Sequence, residues 1–342
     1  MEAPAFVIRS ENDAYELLRQ LLENEIDVDA YDLRFDGWPR LTVHLKGEGF
    51  QSTITPPLMS AFLELQRNIY RSYAIARYNT PKVTALNALE KEALQIVVKV
   101  EPGSSLFSVD LDGLLEKWGK DLIDKMDAKT LLTMVIAVAA IWAGKSAYSD
   151  YLAQRVEIRQ IEAKKEEQQL LIEQQKLRME ERARDDAQET KRMEMLTELL
   201  QQQPKLHTIK AYADDSRTEL FKRSATADEV EIQGMKMDGE TAAELVKNAR
   251  NKSEDVRLDG MYRILNVDSS NPDEFKVKVR SQESGDEFIA KVQDGTLDRR
   301  YLDALQRGEW SRRPVRLQIN AKSIKDEIRS AVVMQANFPE QD

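Results

Sequence analysis

The sequence predicts an α+β fold: an N-terminal α+β domain, a central apolar helix, a long charged helix and a β-rich, small barrel-like C-terminal domain. Helix-like and strand-like patterns interleave in residues 1–127 without the repeating strand–helix–strand order of a doubly wound sheet. Residues 148–203 consist mainly of Glu, Gln, Lys, Arg and Ala, a composition typical of a long helix. After Pro204, short alternating segments separated by turn residues indicate antiparallel strands.

These changes in composition divide the 342 residues into four predicted segments. Residues 1–127 form the globular α+β domain, and residues 128–147 form an apolar helix. Residues 148–203 form the charged helix or stalk, and residues 204–342 form the C-terminal domain. The two globular segments are therefore expected at opposite ends of a helical connection.

Local signals predict the N-terminal elements. A short β-type run, FVIRS, leads into a helix whose start is marked by a Ser-x-x-Asp signature at Ser10. Residues 31–47 alternate on both sides of an Asp-Gly pair, as expected for a hairpin. Pro56 and Pro57 then open a long, largely apolar helix.

The central stretch TLLTMVIAVAAIWAGKS carries no charge from Thr130 to Gly144. As a helix it would be about 22 Å long, shorter than the roughly 30 Å hydrocarbon core of a bilayer. Its apolar residues cover the whole circumference, and Lys129 and Lys145 at its edges could extend the span by snorkelling. We therefore favour a membrane-inserted helix, with a helix buried in a soluble oligomer as the alternative.

Small residues in this stretch recur at a spacing of four, which lets helices approach closely. The residues that we assign to a membrane or oligomer contact are Val138, Ala139, Ala140, Ala143, Gly144 and Ala147. This stripe predicts packing against copies of the same helix, and hence a homo-oligomer. The Gly-Lys-Ser triplet at its end is not a phosphate-binding loop, because Ala139 stands where such a loop has its first glycine.

The charged helix has an incomplete coiled-coil pattern. Val156, Ala163, Leu170 and Leu177 are seven apart, but the complementary seam positions are polar. We expect either a solvated helical spacer, which is favoured, or a loose oligomeric stalk. Either structure would hold the flanking domains apart at a fixed distance.

The C-terminal elements are predicted from alternation and turns. Residues 206–213 and 229–237 are β-like, and residues 260–292 are predicted to form a three-stranded meander. A helix is expected over residues 297–308 and a strand over residues 314–322.

The best binding candidate lies in this last part of the chain, where basic and aromatic residues interleave. Its residues are Arg299, Arg300, Tyr301, Arg307, Trp310, Arg312, Arg313, Arg316 and Lys322. Arginines beside aromatic rings suit phosphate contact and base stacking. The favoured alternative is that these arginines pair with carboxylates of their own domain, which are abundant.

Composition limits the function further. The net charge is −10, so the chain as a whole is not built to coat nucleic acid. No cysteine is present, which excludes disulfides and thiolate chemistry. His44 and His207 are far apart and lack a motif, so no metal site, cofactor or catalytic group is expected. The N-terminal sequence has no secretory pattern.

These observations lead to two hypotheses. The first is a non-enzymatic, membrane-associated sensor–effector or scaffold that links two binding modules through a self-packing helix. The alternative is a soluble, cytoplasmic, oligomeric binding protein whose basic C-terminal domain contacts nucleic acid or a phosphorylated ligand. An enzyme without a visible motif ranks below both.

Overall fold

The computed structural model describes the chain except for residues 1–4, 27, 29–31, 102–104, 163–165, 186, 248, 250–253, 271–273, 294–297, 325–326 and 339–342. The α+β class is confirmed, and the predicted barrel-like sheet is present at the C-terminus. The chain forms two compact units, residues 1–249 and residues 250–342. The helices formed by the apolar and charged stretches belong to the first unit.

The described residues of the N-terminal unit form two sheets. A parallel pair joins β1 (Ala5–Ile8) to β2 (Asp32–Phe35). An antiparallel five-stranded sheet has the order β4-β5-β3-β6-β7. Its strands are β3 (Arg40–Lys46), β4 (Val98–Val100), β5 (Ser105–Asp110), β6 (Glu229–Ile232) and β7 (Met235–Asp238). The central strand, β3, buries Leu41, Val43 and Leu45 by simple alternation.

Helices pack against these strands. They are α1 (Glu11–Leu22), α2 (Pro56–Tyr78), α3 (Ala88–Ala93), α4 (Asp112–Leu122), α5 (Ala128–Ala143), α6 (Lys145–Glu162), α7 (Glu166–Asp185), α8 (Ala187–Gln202), α9 (Pro204–Ser224) and α10 (Gly239–Leu245). The predicted cap of α1 is confirmed, because the Ser10 hydroxyl accepts a hydrogen bond from the Asp13 amide at 3.2 Å.

The apolar helix α5 lies in the core of this unit. Every residue from Leu131 to Ala143 is at most 6% exposed. The helix packs on α1, α4, α6, α9 and β3, so neighbours from the same chain surround it. Its all-round apolarity is therefore explained by burial on all sides within one unit.

This packing gives the small-residue stripe an intrachain role. Val138, Ala139, Ala140, Ala143 and Ala147 are each at most 2% exposed, so other elements of the unit already cover them. Gly144 ends α5, and a Cβ there would overlap the Ala140 carbonyl oxygen and lie 3.0 Å from Glu11 Oε1. Around Gly144, the closest contact from another element is therefore made by Glu11 of α1, within the same unit.

A membrane span was also predicted for this stretch. Among the described residues, no single helix has both the length and the apolar composition needed to cross a bilayer. Two consecutive helices, Ala128–Ala143 and Lys145–Glu162, satisfy both criteria only when they are taken together. The chain bends by 57° between them.

The charged segment is not one straight helix in the structure. It forms α6, α7 and α8, which pack on one another and on α9 and α10. Apolar side chains on one face of each helix are buried, including Val156, Ile172 and Leu199. Of the predicted seam residues, Leu170 and Leu177 are more than half exposed, and Ala163 lies outside the described residues. All three helices belong to the first unit.

The residues that follow Pro204 also differ from expectation. Residues 206–213, predicted to be β-like, lie in α9, where Leu206, Ile209 and Ala213 are buried at helical spacing. The second β-like segment does form strands, β6 and β7. They extend the N-terminal sheet through β3, so they are not part of the C-terminal unit.

In the C-terminal unit, the described residues form a closed five-stranded barrel and one helix. Its strands are β8 (Glu254–Asp268), β9 (Glu274–Ser281), β10 (Glu287–Gln293), β11 (Val315–Ile324) and β12 (Glu327–Asn337), and its helix is α11 (Arg299–Ser311). The order around the barrel is β8-β9-β10-β12-β11, closing on β8. Valines at alternate positions fill the interior, among them Val277, Val279 and Val292.

Gly308 brings α11 against this barrel. A Cβ at this position would overlap Val315 Cγ2 and lie 3.3 Å from Ile264 Cδ1. We expect Gly308→Ala to destabilise the unit by about 1–3 kcal/mol through overpacking, despite the better helix propensity of alanine. Thermal unfolding of the full chain, followed at the transition of the C-terminal unit, measures this effect.

Gly113 in α4 is a matched control. It is also helical, but a Cβ there meets nothing within 4 Å. Gly113→Ala should leave stability unchanged or raise it by up to about 1 kcal/mol. Equal effects of the two substitutions would mean that α11 does not approach the barrel as closely as described.

Candidate nucleic-acid interface

The basic segment predicted as a binding site is divided by the structure into three groups. Arg299, Arg300 and Tyr301 lie at the start of α11, and Lys322 lies near the end of β11. The remaining residues surround the end of α11 and the start of β11: Arg307, Trp310, Arg312, Arg313 and Arg316. Since α11 has 13 residues, its two ends are about 18 Å apart, so these groups cannot act as one compact site.

Among the residues that the structure describes, most arginines of this segment have no carboxylate partner. Arg300 contacts Asp298 at 2.9 Å, and this ion pair raises the pKa of Arg300 and lowers that of Asp298. Arg313 lies over the ring of Phe338 at 5.3 Å. For the others, the part of the chain that the structure describes provides no ion-pair partner: Arg299, Arg307, Arg312, Arg316 and Lys322. Within the described residues, internal pairing, the explanation favoured from sequence, accounts for Arg300 alone.

Lys322 belongs to a separate groove of about 330 Å³ on the barrel. Asp255, Arg257, Asn320 and Ser330 also line it, so the groove carries charges of both signs. Lys322 is opposite Asp255 in the register of β11 and β8. The mixed charge does not favour an anionic ligand there.

A second basic surface, which sequence analysis did not single out, covers three adjacent strands. We define the β8–β10 face by its outward side chains: Met261, Arg263, Asn266, Asp268, Glu274, Lys276, Lys278, Arg280, Glu287, Ile289 and Lys291. On β9, Lys276, Lys278 and Arg280 point outward while Val277 and Val279 are buried. This alternation is visible in the sequence KVKVR, and it could have identified the surface.

The register places basic residues of neighbouring strands side by side. Arg263 of β8 is opposite Arg280, and Lys291 of β10 is opposite Lys276. Directly opposed side chains have Cβ atoms about 5 Å apart, and like charges at this distance repel. Ile289, opposite Lys278, is 56% exposed. The face thus combines concentrated positive charge with an exposed apolar side chain.

Carboxylates neutralise only part of this charge. Glu287 accepts hydrogen bonds from Arg280 Nε at 2.8 Å and forms an ion pair with Lys278 at 2.8 Å. The hydrogen bond from Lys278 contributes most to holding the pKa of Glu287 below its ordinary value. Glu274 lies 3.0 Å from Lys291 Nζ. With Asp268, the face has three carboxylates against five basic side chains, so it is net positive on an acidic chain.

The two basic surfaces of the barrel meet at β8. Arg316 points outward from β11 and is opposite Met261, which is 36% exposed. Met261 is two residues from Arg263, on the same side of β8. Arg316 on β11 and Arg263 on β8 therefore lie on adjacent strands and are separated by two positions along β8.

Other chemistry has little support in the described parts of the chain. They contain no group of three or more His, Asp or Glu side chains that could hold a metal ion. His44 Nδ1 lies 3.7 Å from a carboxylate oxygen of Glu231, and both side chains are partly exposed on the sheet of the N-terminal unit. We find no feature of a catalytic centre around that pair.

The topology of the barrel is informative. The first three strands form a meander, α11 connects the third strand to the fourth, and the third strand pairs in parallel with the fifth. This is the strand order of the OB fold, whose second and third strands bind oligonucleotides or oligosaccharides in many proteins. Those strands are β9 and β10 here. Comparison with protein-family models, curated proteins and solved structures finds no match to this chain.

Proposed function

We propose that this chain is a non-enzymatic binding protein whose C-terminal barrel binds single-stranded nucleic acid through the β8–β10 face. The observation that carries the proposal is the position of the basic residues. Lys276, Lys278, Arg280 and Lys291 lie on the second and third strands of an OB-type barrel. A fold alone does not determine function, so the proposal depends on the side chains of this face.

The chemistry of the face favours a polyanion over a neutral sugar chain. Five basic side chains can contact phosphates, and Met261 and Ile289 offer exposed apolar contacts between them. An extended strand with accessible base faces can use both kinds of contact, whereas a duplex presents mainly its phosphates. We therefore infer a preference for single strands.

The distribution of charge along the chain supports the same region. Residues 250–342 contain as many basic as acidic side chains, so the entire net charge of −10 belongs to residues 1–249. A polyanion is repelled by the acidic unit, which leaves the barrel as the favoured contact. The apolar helix, on which the membrane-scaffold hypothesis rested, is buried among other elements of the first unit, which favours the binding-protein proposal.

Fluorescence anisotropy with the full chain tests the proposal. The probes are a labelled oligothymidylate of about 20 nucleotides and a labelled duplex of the same length, titrated between about 50 and about 200 mM salt. We expect tighter binding of the single strand and a clear loss of affinity as salt rises. If neither the single strand nor the duplex binds at the lowest salt concentration, the proposal is refuted.

A double substitution locates the site. Arg263→Ala with Lys276→Ala removes two exposed basic groups, one from β8 and one from β9. We expect affinity to fall about tenfold, equivalent to about 1.4 kcal/mol, and the salt slope to fall by about 1.4 as two phosphate contacts are lost.

Arg257→Ala is the matched control. Arg257 is also exposed on β8, but it lies on the half that pairs with β11, and it is bound to Asp259 at 3.0 Å. Removal of the Arg257 side chain should change the affinity by less than about twofold, because the proposed ligand does not contact this half of β8. A loss as large as that of the double variant would contradict the assignment to the β8–β10 face.

A further inference from the structure

The end of α11 exposes a large aromatic side chain. Trp310 is 81% exposed, more than any other large apolar side chain among the described residues of the barrel unit; Ile289 follows at 56%. Arg307 precedes it by three positions, so both side chains lie on the same side of the helix. The helix end therefore offers an exposed aromatic ring and an exposed cation, the two kinds of group that stack on a base and contact a phosphate.

Arg312 provides an independent observation. It ends α11 with φ at 55°, in the left-handed region where glycine is the favoured residue. The other described non-glycine residues with positive φ are Asn24, Ser52, Asn79 and Gln233. A long basic side chain has no backbone reason to occupy this position, and it has no ion-pair partner in the described part of the chain. The positive charge of Arg312, rather than its backbone preference, is therefore the reason for an arginine at this position.

The surface continues from this helix end to the β8–β10 face. Arg312 is three residues from the start of β11, and Arg316 projects outward beside Met261 of β8. Arg263 is the next outward residue along β8, about 7 Å further on. A strand bound on the face can therefore follow basic side chains towards Trp310.

We propose that Trp310 is a base-stacking site at one end of the bound strand, with Arg312 contacting an adjacent phosphate. The inference rests on the proposed function and adds a ligand feature, an unpaired base, that the strand face alone does not require. An aromatic ring beside cations is the arrangement that binds single strands with little sequence preference.

Tryptophan fluorescence tests the site in the full chain. Trp310 is the single tryptophan of residues 250–342; in the other unit Trp118 and Trp142 are buried and Trp38 is partly buried. Unlabelled oligothymidylate should quench the emission of Trp310 at the concentrations where anisotropy reports binding. Trp310→Phe should abolish this quenching and keep affinity within about threefold, because a phenyl ring still stacks.

Affinity measurements separate stacking from structure. We expect Trp310→Ala to weaken oligothymidylate binding about tenfold. An abasic phosphodeoxyribose strand should bind the wild type and Trp310→Ala equally, since it offers no base. Unequal binding of the abasic strand would overturn base stacking as the role of Trp310.

Arg312→Gly removes the charge while giving the helix end its favoured residue. We expect about threefold to fivefold weaker binding with an unchanged or higher melting temperature. Arg299→Ala is the control, because it removes the same charge from the opposite end of α11 and should leave binding unchanged.

The outcomes distinguish the two proposals. Oligothymidylate binding without Trp310 quenching, and without weakening in Trp310→Ala, would overturn the stacking site and leave the proposed function standing. Failure of the wild type to bind any oligonucleotide would overturn the proposed function and this inference with it.

Discussion

Val138→Arg is expected to unfold the N-terminal unit and leave the barrel folded. Val138 is fully buried in the middle of α5, which other helices and β3 surround. An arginine there would be a buried charge without a partner, and we expect a loss of more than about 4 kcal/mol. Because domains are stable by only about 5–15 kcal/mol, this removes most of the stability of the unit. Emission of the buried Trp118 and Trp142 during thermal unfolding measures the change.

Ile161→Arg is the control for the same chemistry at an exposed position. Ile161 lies in α6 and is 82% exposed, so the substitution should alter stability by less than about 0.5 kcal/mol. If the Val138→Arg variant melts at the same temperature as the wild type, α5 is not buried within the N-terminal unit. A contact with lipid or with another subunit would then again explain the apolar stretch.

Arg217→Ala is expected to cost the same unit about 3–5 kcal/mol. Arg217 lies in α9 and is 1% exposed. Its guanidinium forms an ion pair with the Asp214 carboxylate and donates a hydrogen bond to the main-chain carbonyl oxygen of Ile141. It also lies 4.4 Å from the centre of the Tyr148 ring. The substitution leaves a cavity, a less neutralised carboxylate and an unpaired carbonyl group inside the core. Chemical denaturation gives the free energy of unfolding.

Arg223→Ala tests whether burial, rather than charge, causes this loss. Arg223 is on the same helix and pairs with Glu219 at 3.3 Å, but its side chain is 40% exposed. Exposed ion pairs contribute about 0–1 kcal/mol, so the expected effect is several times smaller. Similar losses for both variants would contradict a central role for Arg217 in the packing of α5 against α9.

Local patterns predicted the fold class because they reflect local physics. The cap at Ser10 and the alternation in β3 and β9 depend on residues a few positions apart, and the structure confirms them. The environment of α5 could not be predicted in the same way. A helix that is apolar on all sides looks the same in lipid, in an oligomer and in a core, and only distant segments such as α9 decide among these.

The candidate site was only partly predictable for a related reason. Composition identified the arginines around Trp310, but the strand register decides which basic residues become neighbours. Arg263 and Arg280 fall within the predicted meander, but only the register of β8 and β9 shows that they lie opposite one another. Lys276 and Lys278 were detectable from period-two alternation, yet their meaning depends on their position on the second strand of a closed barrel.

The pairing of β3 with β6 has a consequence for the newly synthesised chain. Lys46 and Glu229, which form an ion pair across these strands, are 183 residues apart. At about 5–20 residues per second, the ribosome needs about 10–40 s to deliver the second strand after the first. During that interval one hydrogen-bonding edge of β3 has no native partner, and such edges pair readily with strands of other chains. The nascent protein therefore passes through a period of aggregation risk that ends only when β6 emerges.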